Sequence, residues 1–96
     1  MEFKFKKNMN YLMSKIDEYI YNHKLPIQIK LNKHGWLVIT IKKFGTSIIS
    51  FKRDYDGGYL YLTLAEQKIS WLHTPYVRKF QNQITEVFES LGGVKV

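Results

Sequence analysis

Ninety-six residues carry fifteen Lys and Arg against eight Asp and Glu, a formal charge of +7, with 45% hydrophobic and 16% aromatic residues. That describes one folded domain over 1–96, too short for two separate cores, and argues against disorder. The lack of cysteine excludes disulfides, thiolate metal sites and cysteine nucleophiles, and it fits a reducing compartment. No apolar run approaches the ~20 residues that span a bilayer, and Lys4, Lys6 and Lys7 are not followed by the apolar stretch of a signal peptide. The expectation is a cytoplasmic protein with no integral membrane segment.

Residues 2–6 alternate and are compatible with an extended segment. A first helix is predicted over about Asn8 to Asn22. Its apolar residues Met9, Leu12, Met13, Ile16, Tyr19 and Ile20, with His23, fall within about 120 degrees of arc. Leu25-Pro26 ends it, since the residue before a proline is driven toward extended backbone. Strands follow, separated by turn signals at Asn32-Lys33-His34-Gly35, at Lys43-Phe44-Gly45 and at Asp54 to Gly58. Connections this short force antiparallel neighbours, so the predicted sheet is a meander of four or five strands, with Lys68 to Leu72 as the optional fifth. The last helix is predicted to be capped by Thr74, to take Pro75 as its first residue and to stop at Gly92-Gly93. Its stripe is Val77, Phe80, Ile84, Val87, Phe88 and Leu91. The fold class is therefore α+β: N-terminal helix, antiparallel meander, C-terminal helix. One strongly aliphatic sheet face and two amphipathic helices are most simply combined by packing both helices on that face.

Strict alternation along the strands separates two faces. One is aliphatic: Ile27, Ile29 and Leu31, then Leu37, Ile39 and Ile41, then Leu60, Leu62 and Leu64. The other mixes rings with lysines: Lys30, then Trp36 and Lys42, then Tyr59 and Tyr61. The strand starting at Thr46 is ambiguous, because Ile48 and Ile49 point to opposite sides. The strand-rich middle, residues 25–72, carries seven basic and three acidic groups and is the most basic part of the chain. Ammonium groups beside rings on an open sheet face suit a polyanion whose bases stack.

Candidate chemistry is sparse. Asp54 or Asp56 followed by Glu66-Gln67-Lys68 resembles the D…(D/E)xK arrangement of a large nuclease superfamily, in which two carboxylates hold Mg²⁺ and the lysine orients water. Here Ala65-Glu66-Gln67 reads as a turn, whereas that family places the Glu and Lys on a strand. The three histidines are isolated: His23 at a helix end on its apolar side, His34 in a hairpin, and His73 before the last helix, available for capping or solvent. No serine sits in a nucleophile elbow, and no glycine-rich phosphate loop is present.

The expectation is a small binding protein without catalysis, cofactor or metal, using Lys30, Trp36, Lys42, Lys43, Lys52, Arg53, Tyr59 and Tyr61 to hold single-stranded or structured nucleic acid. The rings stack bases and the cations neutralise phosphate. The alternative is a protein–protein module, a small inhibitor or adaptor of the phage or mobile-element type, presenting the same face to an acidic protein surface. A homodimer through that face is a further possibility, and peripheral membrane contact through Phe3 and Phe5 a third class.

Overall fold

A computed structural model describes residues 1–96. The chain runs β1 (Glu2–Phe5), α1 (Met9–His23), β2 (Ile27–Leu31), β3 (Leu37–Lys42), β4 (Thr46–Asp56), β5 (Tyr59–Lys68), a 3-10 helix (Trp71–Tyr76), α2 (Val77–Ser90) and β6 (Val94–Lys95). Asn8 caps α1 by accepting the Tyr11 amide on its side chain at 2.9 Å. Lys24, at φ 50, closes the helix in the left-handed conformation one residue before the Leu25-Pro26 pair. Between β2 and β3, the Asn32 side-chain oxygen accepts the amides of His34 (2.9 Å) and Trp36 (3.0 Å), which fixes the turn and the entry of Trp36. Gly57 and Gly58, at φ 58 and 82, supply the two positive angles that a tight β4–β5 hairpin demands.

The sheet is antiparallel throughout, with six strands in the order β2-β3-β4-β5-β1-β6. The meander is the expected one, but its extra strands come from the chain ends. Residues 2–5 pair with β5 (Phe3 opposite Leu62, Phe5 opposite Leu60), and Val94–Lys95 pairs with β1 in turn. The segment from Lys68 to Leu72 is not a fifth strand: Lys68 ends β5, and Trp71 and Leu72 open the 3-10 helix. Thr74 does not cap α2, which follows Tyr76 with no side-chain cap; the 3-10 helix is capped by Ser70, whose hydroxyl oxygen accepts the Leu72 amide at 3.3 Å. Pro75 lies inside the 3-10 helix rather than opening α2.

This topology decides which face each helix covers. Direction reverses at every step across the sheet, so β1 and β2, four steps apart, are parallel, and so are β5 and β6, two steps apart. α1 joins the first pair and α2 the second, from strands of opposite direction and in opposite lateral senses. The two reversals cancel, and the right-handed crossover rule puts both helices on the same face. The core agrees. Met9, Leu12 and Ile16 of α1 and Ile84, Val87 and Phe88 of α2 pack with Leu37, Ile39, Ile41, Ile49, Phe51, Leu60 and Leu62 from one side of the sheet. β4 is no longer ambiguous: Ile49 and Phe51 face the helices with Ser47, and Ile48, Ser50 and Lys52 face away.

Phe3 and Phe5 are buried in this core, which removes them as a membrane contact. Both meet Phe88 edge-on, at 5.2 and 5.6 Å between ring centroids, and Phe51 meets it at 5.3 Å. Gly93 sits so close that an added Cβ would lie 2.6 Å from the Phe5 ring and 2.7 Å from the Phe88 carbonyl. Phe88→Ala should therefore cost about 3–5 kcal/mol of unfolding free energy, and Gly93→Ala about 1–3 kcal/mol through overpacking. Urea titration followed by far-UV circular dichroism measures both, and exposed Tyr21→Ala should stay within about 0.5 kcal/mol of the parent.

Candidate nucleic-acid interface

The sheet face opposite the helices is built in register rows. Gln28, Thr40, Ile48 and Lys68 form one row, Lys30, Val38, Ser50 and Glu66 the next, then Lys52, Thr63 and Glu2, then Asp54, Tyr61 and Lys4, and last Asp56 and Tyr59. Trp36, one residue before Leu37, emerges on this side beside Lys52. The Lys52 ammonium stands 5.3 Å from the Trp36 ring centroid, and that of Lys4 stands 5.0 Å from the Tyr59 ring. Thr63 donates a 2.7 Å hydrogen bond to the Glu2 carboxylate. Val38 and Ser50 are buried among their neighbours, and Trp36, Tyr59 and Tyr61 are half-buried. Two of the three rings, Trp36 and Tyr59, thus carry a lysine across them.

Six of the eight expected residues share this face: Lys30, Trp36, Lys42, Lys52, Tyr59 and Tyr61. Arg53 does not. It stands opposite Leu62 in the β4–β5 register, which puts it on the helix side. Its guanidinium lies against the β2–β3 turn, 2.9 Å from where a Cβ of Gly35 would stand. The period of two makes this unavoidable once Lys52 faces outward. Lys43 is also off the face, in the turn after β3. The face carries Lys4, Lys30, Lys42, Lys52 and Lys68, but also Glu2, Asp54, Asp56 and Glu66. Its charge is graded along the strands. The β4–β5 hairpin end holds Asp54 and Asp56, while the opposite end holds Lys30, Lys42 and Lys68 with a single carboxylate, Glu66, in the Lys30 row. The chain's one ion pair, Lys15 to Glu18 at 3.5 Å, lies elsewhere on α1.

Glu66 and Lys68 do stand on a strand, not on the turn that the sequence suggests, because the bulge in the β4–β5 pairing between Ser50 and Phe51 lets β5 run on to Lys68. Asp54 is nevertheless four residues along β4 from the partner of Glu66, roughly 13 Å at strand spacing, too far to share a metal ion. No group of three or more His, Asp or Glu side chains is placed to hold one.

His73 differs most from its expected role as a capping or solvent-facing residue. It is buried, its Nδ1 accepts the Ser47 hydroxyl at 2.6 Å, and its Nε2 donates to the Lys43 carbonyl. A carbonyl can only accept, which assigns the proton to Nε2. The Ser47 oxygen in turn accepts the Ser70 amide at 2.8 Å. A serine and a histidine at this distance have the spacing of a nucleophile and its base. Ser47 is 0% exposed, however, so no substrate can reach it. The three residues form a latch that ties the β3–β4 turn to the 3-10 helix. His23, by contrast, ends the apolar side of α1 as expected: it is exposed and stacks at 3.9 Å on Tyr19, which packs against the core.

Compared with known proteins, the chain matches no family model, no curated protein and no solved structure. No helix is long and apolar enough to cross a membrane.

The latch can be tested directly. His73→Ala leaves Ser47 and the Lys43 carbonyl without their partner and should cost about 1–3 kcal/mol, while Ser47→Ala should cost about as much. The two losses should fall well short of additive in the double variant, because one network is broken in each case. Urea melts of the two single variants and the double variant provide the measurement.

Proposed function

We propose that this chain is a non-catalytic protein that binds single-stranded nucleic acid across the sheet face that neither helix covers. The observation that carries this reading is the pairing of ammonium groups with aromatic rings there, Lys52 over Trp36 and Lys4 over Tyr59. A base can take the place of the ammonium on the ring while the lysine swings to a phosphate, so one pair serves both halves of a nucleotide. Lys30, Lys42 and Lys68 continue the positive surface toward the end of the sheet away from the β4–β5 hairpin. A cysteine-free chain of net charge +7 fits such work in the cytoplasm.

Fluorescence anisotropy with a labelled oligo(dT) tests the reading. Affinity should fall with salt, with a log–log slope of about −0.7 for each phosphate neutralised. Trp36→Ala should weaken binding by about 1–3 kcal/mol. Lys30→Glu combined with Lys52→Glu should weaken it further and flatten the salt dependence. Affinity no better than about millimolar at low salt would remove the proposal.

The carboxylates of Glu2, Asp54, Asp56 and Glu66 on the same face favour a second reading, a protein–protein module whose partner presents matching charges of both signs. A complex that survives nuclease treatment and is lost in Trp36→Ala would select that reading. A concentration-dependent doubling of mass lost in the same variant would identify the partner as a second copy.

A further inference from the structure

The most exposed rings among the strands, turns and 3-10 helix lie not on the sheet face but at one end of the molecule. Phe44, in the β3–β4 turn, is 84% exposed, and Trp71, opening the 3-10 helix, is 81% exposed. Leu72 and Tyr76 beside them are about half exposed. The two segments form one unit. The Ser47–His73–Ser70 latch joins them, and a Cβ on Gly45 would stand 3.5 Å from the Leu72 side chain. Phe44 itself is held at φ 59, a conformation unfavourable for a bulky side chain. A strained turn and a buried polar network therefore hold apolar side chains out in solvent. The unit is also terminal. Eleven-residue β4 alone spans about 35 Å, most of the 40 Å long axis, with the Phe44 turn at one end and the Gly57-Gly58 turn at the other.

The two segments that build this end carry charge of one sign, the nearest carboxylates, Asp17 and Glu66, coming from α1 and β5. Residues 42–48 and 68–82 contain five Lys and Arg and no Asp or Glu. Lys42 and Lys43 precede Phe44, Lys68 closes β5, and Arg78 and Lys79 lie in the first turn of α2; all five are exposed. We propose that this end docks on an anionic phospholipid surface, with Phe44, Trp71 and Leu72 entering the headgroup–acyl boundary and the five cations facing the headgroups. Three features favour a bilayer over other partners. Rings exposed by more than four-fifths project with little protein beside them, so they offer no groove for a nucleic-acid strand to follow. A lipid interface accepts projecting apolar groups without a matching pocket, as a protein partner would have to provide. An unbroken set of cations complements a leaflet carrying anionic lipid, each cation strengthening the attraction.

The experiment uses Trp36→Phe, in which Trp71 is the sole indole. Adding vesicles of phosphatidylserine mixed with phosphatidylcholine at low salt should shift its emission to the blue and carry the protein into the vesicle pellet. Pure phosphatidylcholine should bind at least about tenfold more weakly. In the otherwise unaltered chain, Phe44→Ser and Trp71→Ser should each lower partition into the mixed vesicles by about tenfold. Melting temperatures within a few degrees of the parent would show these variants folded, as expected for exposed side chains. Trp36→Ala, which strikes the proposed nucleic-acid face, should partition as the parent does, so the two proposals can fail separately. Unshifted Trp71 emission with the mixed vesicles overturns the inference. So does equal partition onto both vesicle types. A Trp71 signal that responds to oligo(dT) and not to vesicles likewise overturns it, and reassigns this end to nucleic acid.

Discussion

The architecture depends on the docking of four residues, Glu2–Phe5, against the outer edge of β5. That pairing places Phe3 and Phe5 under Phe88, where three phenyl edges meet one ring within 5.6 Å. It also puts β1 between β5 and β6, so that α1 must travel the width of the sheet to reach β2, and α2 must pass over β1 to reach β6. Two crossovers on one face follow from that placement and from backbone chirality. Without β1, Phe88 would lose two of its three aromatic partners and α1 would have no strand to leave from. The exposed sheet face is thus a consequence of where β1 docks.

A second constraint acts at the opposite end from the β4–β5 hairpin. Ser47 points into the helix-covered side of β4, where a hydroxyl needs partners. It finds them in His73 and the Ser70 amide, and His73 passes the connection on to the Lys43 carbonyl. The cost of burying these polar groups is offset only when all three segments are in place. The turn bearing Phe44 and the helix bearing Trp71 are therefore ordered together. Aromatic residues thus serve three distinct settings, with the tyrosines of α1 and Tyr55 apart from them: phenyl rings packed in the core, half-buried rings on the sheet face, and rings projecting from the latched end.

Much of this was legible in the sequence. Periodicity located both main helices within a residue or two at most ends, separated the aliphatic strand face from the ring-bearing one, and marked the turns. Pro26 after α1 and Gly92 after α2 were readable as end signals for local reasons. The errors are equally physical. Residues 2–5 are too few for periodicity to distinguish a strand from an extended tail, and β6 has only two residues. Trp71 and Leu72 are apolar, and apolarity alone does not separate a strand from a 3-10 turn. Arg53 was grouped with Lys52 by adjacency, yet neighbours on a strand point to opposite faces. His73 carries no local mark of burial, since its partners are 26 and 30 residues away in sequence.

What the sequence by itself determined is the local part: where the backbone turns, which side chains share a strand or helix face, and that a chain of net charge +7 has more cations than its carboxylates can match. These depend on interactions between residues a few positions apart, and a linear pattern records them. Only the tertiary structure decided which strands lie side by side, that both helices cover one face, and that Phe44 and Trp71 stand together amid cations with no carboxylate in either segment. Those outcomes rest on contacts between residues far apart in the chain, the pairing of β1 with β5 and the closure of Ser47 on His73. Many pairings are compatible with the same local pattern, and they are separated by packing, handedness and the satisfaction of buried polar groups, which the whole fold settles at once.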